Sequence, residues 1–78
     1  MANGIERPLD MLNHSKGKEI LLQLKSDRQI VGTLVAFDIH INLVLENAKE
    51  LENGELKRSI GLTFVRGDTI IYISPASK

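Results

Sequence analysis

From Lys18 to Ser74 the apolar residues change to a period of two, and this alternation is cut at short, regular intervals by turn-forming residues. A period of two puts alternate side chains on opposite faces of an extended chain. Several short strands separated by regular turns point to a small barrel or sandwich rather than a helical bundle. The cuts fall at Ser26-Asp27-Arg28, at Asp38–Ile41, at Glu52-Asn53-Gly54 and at Arg66-Gly67-Asp68. Asn-Gly is the strongest short hairpin signal among them. The predicted strands are Glu19–Leu24, Gln29–Phe37, Asn42 to Glu46 or beyond, Leu56–Val65 and Thr69–Ser74.

The residues before the first strand read differently. The first half-dozen form a flexible lead-in, and Pro8 then opens a short helix over about 8–14, with Leu9 and Leu12 on one side and Gly17 able to end it. Proline suits a first helical turn, and two turns of helix need a surface to pack on. Along the strands, Ile20-Leu21-Leu22 suggests burial on both faces. In the second strand Ile30, Leu34 and Ala36 share one face and Val31, Val35 and Phe37 the other; in the fourth, Ile60, Leu62 and Phe64 share a face. Gly32 stands inside a strand, where glycine marks a bend or close backbone approach or is simply tolerated. The PASK tail is expected to fray.

With 78 residues there is room for one domain, 1–78, and five strands are too few for two full sheets. The fold class expected is mainly β: a short N-terminal helix, then a strongly bent five-stranded antiparallel sheet forming a small open barrel. Such a sheet keeps two free edges, the apolar fourth and fifth strands, and unprotected edges invite pairing with another copy. Assembly into a ring through these edges would also relieve the small core.

Composition then removes whole classes of function. There is no cysteine, so disulfides and thiolate metal sites are excluded, and His14 and His40 alone supply imidazole. No metal or other cofactor is expected. No apolar run reaches the length of a membrane helix, and the start of the chain lacks a secretory pattern, so a soluble cytoplasmic protein is the expectation. The formal net charge is zero, which counts against a duplex-DNA binder relying on bulk electrostatics. No serine stands in a nucleophile motif, so catalysis is not expected.

Two loops carry unusual chemistry. Asp38, His40 and Asn42 stand at alternate positions among apolar neighbours, and Arg66-Gly67-Asp68 forms the last turn. Asp38 is a turn former that can also position its neighbours. Asn42 is either a loop brace or a reader of another amide-like edge. His40 and Arg66 are flat groups able to sandwich a ring. Together they hold the parts needed to grip one base, by stacking and edge contacts, as single-stranded RNA is read.

These same stretches carry a resemblance. "GKEILLQLKSDRQIVGTLVAFDIHINLVLENAKEL" resembles the first motif of the Sm and Sm-like (LSm) family, "IGLTFVRGDTIIYISP" the second, and "RPLDML" the short N-terminal helix. The D-x-H-x-N form at Asp38, His40 and Asn42 is most similar to archaeal members, and Ile41 stands where relatives commonly carry methionine. The resemblance implies a ring, most often of seven identical subunits, closed by pairing the fourth strand of one subunit with the fifth of the next. It implies that both loops meet at a central pore and bind U-rich single-stranded RNA. There His40 and Arg66 would stack on a uracil, Asn42 would bond its edge, Asp38 would hold Asn42, and Gly67 and Asp68 would shape the second loop, with backbone contact to the base. Several pockets acting on one strand gain by effective concentration, which fits a neutral chain. The implied role is a scaffold in RNA processing or turnover, with RNA-processing proteins as partners. The alternative is a ring that serves protein interaction, with vestigial RNA binding. The acidic connection holding Glu46, Glu50, Glu52 and Glu55 should not attract RNA.

Overall fold

The computed structural model describes residues 7–76. The lead-in expected at 1–6 and the end of the tail at 77–78 lie outside them. One helix, α1 (Pro8–Ser15), precedes five strands: β1 (Glu19–Leu24), β2 (Arg28–Phe37), β3 (Leu43–Glu52), β4 (Glu55–Val65) and β5 (Ile70–Pro75). A single 3-10 turn, Gly67–Thr69, separates β4 from β5. All pairings are antiparallel, and the order is β4-β3-β2-β1-β5, so the edges are the two apolar strands expected there.

Pro8 opens α1, and the Arg7 N–H donates to Asp10 Oδ2 at 3.1 Å, which satisfies a donor at the helix start. Leu12 is buried and Leu9 packs beside it on the core. Beyond Ser15 the chain turns through Lys16 and Gly17, and the turn is stitched to β2: the Gly17 N–H donates to the Leu34 carbonyl at 2.9 Å, and the Leu34 N–H to the Lys18 carbonyl at 3.0 Å. Ile20, Leu22 and Leu24 of β1 are buried with Ile30 and Leu34 of β2 and Leu43 and Leu45 of β3. Leu21 and Gln23 are only half-buried, so β1 alternates simply instead of burying both faces.

The bend has a local cause. On β3 the register slips around Asn47, whose φ is 54°, and Ala48 comes to lie against Gly32 on one side and pairs with Gly61 on the other. A Cβ on Gly32 would stand 3.1 Å from the Ala48 Cα, so this glycine serves close backbone approach. Gly61 has a φ of 81°, which only glycine adopts freely. Irregularities at one level of three neighbouring strands fold the sheet across itself.

These bulges also overturn two face assignments. Leu34 and Phe37 both pack on the core, while Ala36 is exposed, because the β2–β3 register shifts between Leu34 and Ala36. Ile60 packs on the core but Leu62 and Phe64 stand 74% and 62% exposed, because β4 changes phase at Gly61. Strict alternation fails wherever a residue is inserted into the ladder. The last strand runs one residue further than expected: Pro75 pairs with Ile20, and the Ala76 N–H donates to the Glu19 carbonyl at 3.1 Å. Proline is tolerated there because β5 is an edge.

Candidate nucleic-acid interface

The loop between β2 and β3 is built around one carboxylate. Asp38 Oδ1 accepts from the backbone N–H of His40 at 2.9 Å and of Asn42 at 3.1 Å, and Oδ2 accepts from Asn42 Nδ2 at 3.1 Å. The loop closes through the Ile41 N–H on the Asp38 carbonyl and the Asp38 N–H on the Asn42 carbonyl. Asp38 is thus both a turn former and a positioning group. The Asn42 side-chain bond, with the two backbone bonds, holds its carboxyl below the usual carboxylate value. The compact turn forces Ile41 to a φ of 64°, a left-handed conformation that is costly for a β-branched residue.

The second loop meets the first. The Gly67 N–H donates to Asn42 Oδ1 at 2.8 Å across 25 residues of sequence. A Cβ on Gly67 would overlap the His40 carbonyl and stand 2.9 Å from the Ile41 carbonyl carbon. Only a bare backbone can come this close. Arg66 Nη2 bonds Asp68 Oδ2 at 3.0 Å, and the Thr69 hydroxyl and N–H both donate to the Arg66 carbonyl, at 2.7 and 3.1 Å. His40, Arg66 and Asp68 are exposed.

All six residues singled out in the sequence therefore sit at one place. Asn42 is the joint: its amide nitrogen is fixed by an acceptor-only carboxylate and its oxygen by a backbone donor. Each partner settles which end of the amide faces which way. One N–H and one oxygen lone pair stay uncommitted, in a fixed order, in loops that also carry the exposed His40 and Arg66. Two contributors escape a sequence reading. Thr69 holds the Arg66 carbonyl, and its place three residues after Arg66 in a turn is the signal that could have found it. Ile41 carries the left-handed turn, which nothing in an apolar β-branched residue advertises.

A second carboxylate lies on β3, in a cleft it shares with Arg66 and Thr69. Glu50 on β3 turns inward, its side chain 9% exposed, and bonds Arg58 Nε at 2.9 Å and Arg28 Nε at 3.0 Å. These bonds, Arg58 first and Arg28 next, hold its carboxyl below the usual range. Glu52 pairs with Lys57 at 3.1 Å. Two of the four acids in the connection not expected to attract RNA, Glu50 and Glu52, are thus ion-paired with neighbours across the sheet. Among the described residues no cluster of side chains could hold a metal ion, and no helix is long and apolar enough to cross a membrane.

A short helix and a bent five-stranded sheet thus carry two polar loops locked together by an asparagine. The chain belongs to the LSM family: the LSM domain model matches residues 10–75. It is 49% identical over 70 residues to an snRNP Sm-like protein of Archaeoglobus fulgidus, covering 90% of this chain and 91% of the relative. Among solved structures, it is similar to the Sm protein of Pyrococcus abyssii in complex with a uridine heptamer, with a TM-score of 0.87 and 39% identity over 91% of this chain and all of that one. It is also similar to a heptameric archaeal Sm protein, with a TM-score of 0.80 and 38% identity over 87% of this chain and 98% of that one. Membership places the chain among binding scaffolds rather than enzymes.

Proposed function

We propose that this protein forms a homo-oligomeric ring, seven subunits being the favoured number, that binds U-rich single-stranded RNA at its pore and acts as a cytoplasmic scaffold in RNA processing or turnover. The observation that carries the reading is the Asn42 amide, pinned by Asp38 and Gly67 in the two loops that carry His40 and Arg66. His40 and Arg66 stack on the base from either side. The free N–H and lone pair of Asn42 answer the carbonyl and N–H of a uracil edge; cytosine, stacked in the same orientation, offers the reverse order. Gly67 and Asp68 shape the second loop around the base. The similar Sm protein seen with a uridine heptamer supports the choice of base, and the heptameric relative supports the ring.

The edges support assembly independently. β4 presents Leu62 and Phe64, and β5 presents Ile71 and Tyr72, all exposed in the single chain. Exposed apolar edge strands are an interface awaiting a partner. RNA-processing proteins are the proposed further partners, on the α1 side where Ile39 stands 75% exposed.

The test is fluorescence anisotropy of labelled oligo-U against oligo-A at two salt concentrations, on wild type and Asn42→Ala. Tight oligo-U binding, weak oligo-A binding and loss of the former in Asn42→Ala with the ring intact is the expected result. Oligo-U affinity unchanged by Asn42→Ala overturns the pocket. Equal or absent binding of both oligonucleotides removes base recognition and favours a ring that serves protein interaction.

A further inference from the structure

An apolar groove of about 780 Å³ adjoins the base site and shares residues with it. Met11 of α1 and Tyr72 of β5 line one side of it; His40, Ile41, Gly67 and Asp68, all residues of the two loops, line the other. The element that fits it is already present in the chain. β4 pairs with β3 on one side only, its Leu62 and Phe64 are exposed, and β5 is the opposite edge bordering the groove. Pairing β4 of one copy with β5 of the next would set this apolar edge beside the groove that β5 borders. Only a closed ring uses every such edge.

The loop wall of this groove includes the one strained residue of the site. Ile41 holds a left-handed φ of 64° that its β-branched side chain resists. Such a conformation persists only when the surroundings over-determine it. Within one chain its supports are the Asp38 bond, the Gly67 backbone and partial packing on the core. The groove side is open. His40 and Asn42 flank Ile41, so any relaxation there moves the stacking ring and the edge reader together.

We propose that the neighbouring copy completes the base site: its β4 side chains fill the groove, buttress Ile41, and hold the Asp38–Asn42 loop in the geometry that binds a uracil. This rests on the ring and base-site reading above and adds a coupling to it. A lone chain that keeps the competent loop for a tenth of the time binds one base tenfold more weakly. The effect is separate from avidity, because it acts on every pocket singly. By reciprocity, filling the pockets tightens the ring.

A mononucleotide isolates this coupling, since one base gains nothing from multiple sites. Fluorinated uridine monophosphate is titrated, by fluorine NMR, into the wild-type ring and into Phe64→Glu and Leu62→Glu, with assembly state followed by sedimentation and folding by circular dichroism. The expected result is a folded, dissociated variant whose per-site affinity is at least tenfold below that of the ring, and an Ile41→Ala ring that falls toward the same value. Equal per-site affinity in ring and dissociated chain overturns the proposal. Should the charged variants not fold, wild type diluted through its own dissociation is held to the same criterion. An intact ring that binds neither the mononucleotide nor oligo-U overturns the base-site reading itself, a failure distinct from equal binding by both states.

Discussion

Two carboxylates organise this protein, and they do so in opposite ways. Asp38 collects its hydrogen bonds from residues two and four positions along the chain, two of them backbone N–H groups. It shapes a loop and stays exposed. Glu50 collects its bonds from guanidiniums 22 and 8 residues away, on the strands either side of β3. It clamps three strands together and is buried. A short-range acid writes a local conformation, whereas a long-range acid records which strands have become neighbours. The first positions a binding group; the second holds the sheet that carries it.

The sharpest way to break this division is Gly67→Ala, which strikes site and fold together. A Cβ there overlaps the His40 carbonyl, so the loops must separate. Overpacking of this kind typically costs about 1–3 kcal/mol; thermal unfolding should report such a loss, and oligo-U binding should disappear. Next comes His40→Ala, expected to weaken oligo-U binding by a stacking-sized amount, roughly 1–3 kcal/mol per base, with the melting temperature unchanged. A melting temperature that drops instead would make His40 structural.

Glu50→Gln should do the converse. It removes the charge that holds Arg28 and Arg58, so the melting temperature falls, while oligo-U affinity in the assembled ring stays at the wild-type value. An affinity that fell with it would mean that the clamp also shapes the site. The smallest effect is that of pH. Both acids have their folded-state values lowered, from ordinary values of 3.8 for Asp38 and 4.5 for Glu50. Their stabilising contribution is fully present above those ordinary values and fades as pH falls through the lower folded-state ones. Stability should therefore be flat from neutral pH to about pH 5, and decline below pH 4.5 to 3.8 as the two titrate. Asp38→Asn together with Glu50→Gln should flatten that decline; an unchanged acid limb would assign it to other carboxylates.

Much of the fold is legible along the chain because its causes are local. Pro8, the alternation after Lys18, Asn53-Gly54 and Arg66-Gly67-Asp68 each act within a few residues, and helix, strands and turns follow them closely. The site residues are legible for the same reason: Asp38, His40 and Asn42 lie within one loop. What escapes is non-local. The phase changes at Gly61 and between Leu34 and Ala36 arise only when neighbouring strands lie side by side, so Phe37 turned inward and Leu62 and Phe64 outward against expectation. Glu50 reads as one more surface acid until the sheet brings Arg28 and Arg58 to it.

The sequence by itself determined which stretches form strands, where the chain turns, and which five polar side chains and one glycine stand in the two loops, because periodicity and turn propensity are properties of neighbouring residues. Only the tertiary structure decided that the two loops touch, through the Gly67 N–H on Asn42 Oδ1. That bond spans 25 residues, and its geometry exists only once β3 has paired with β4, with Leu43 opposite Val65 at the mouths of the two loops.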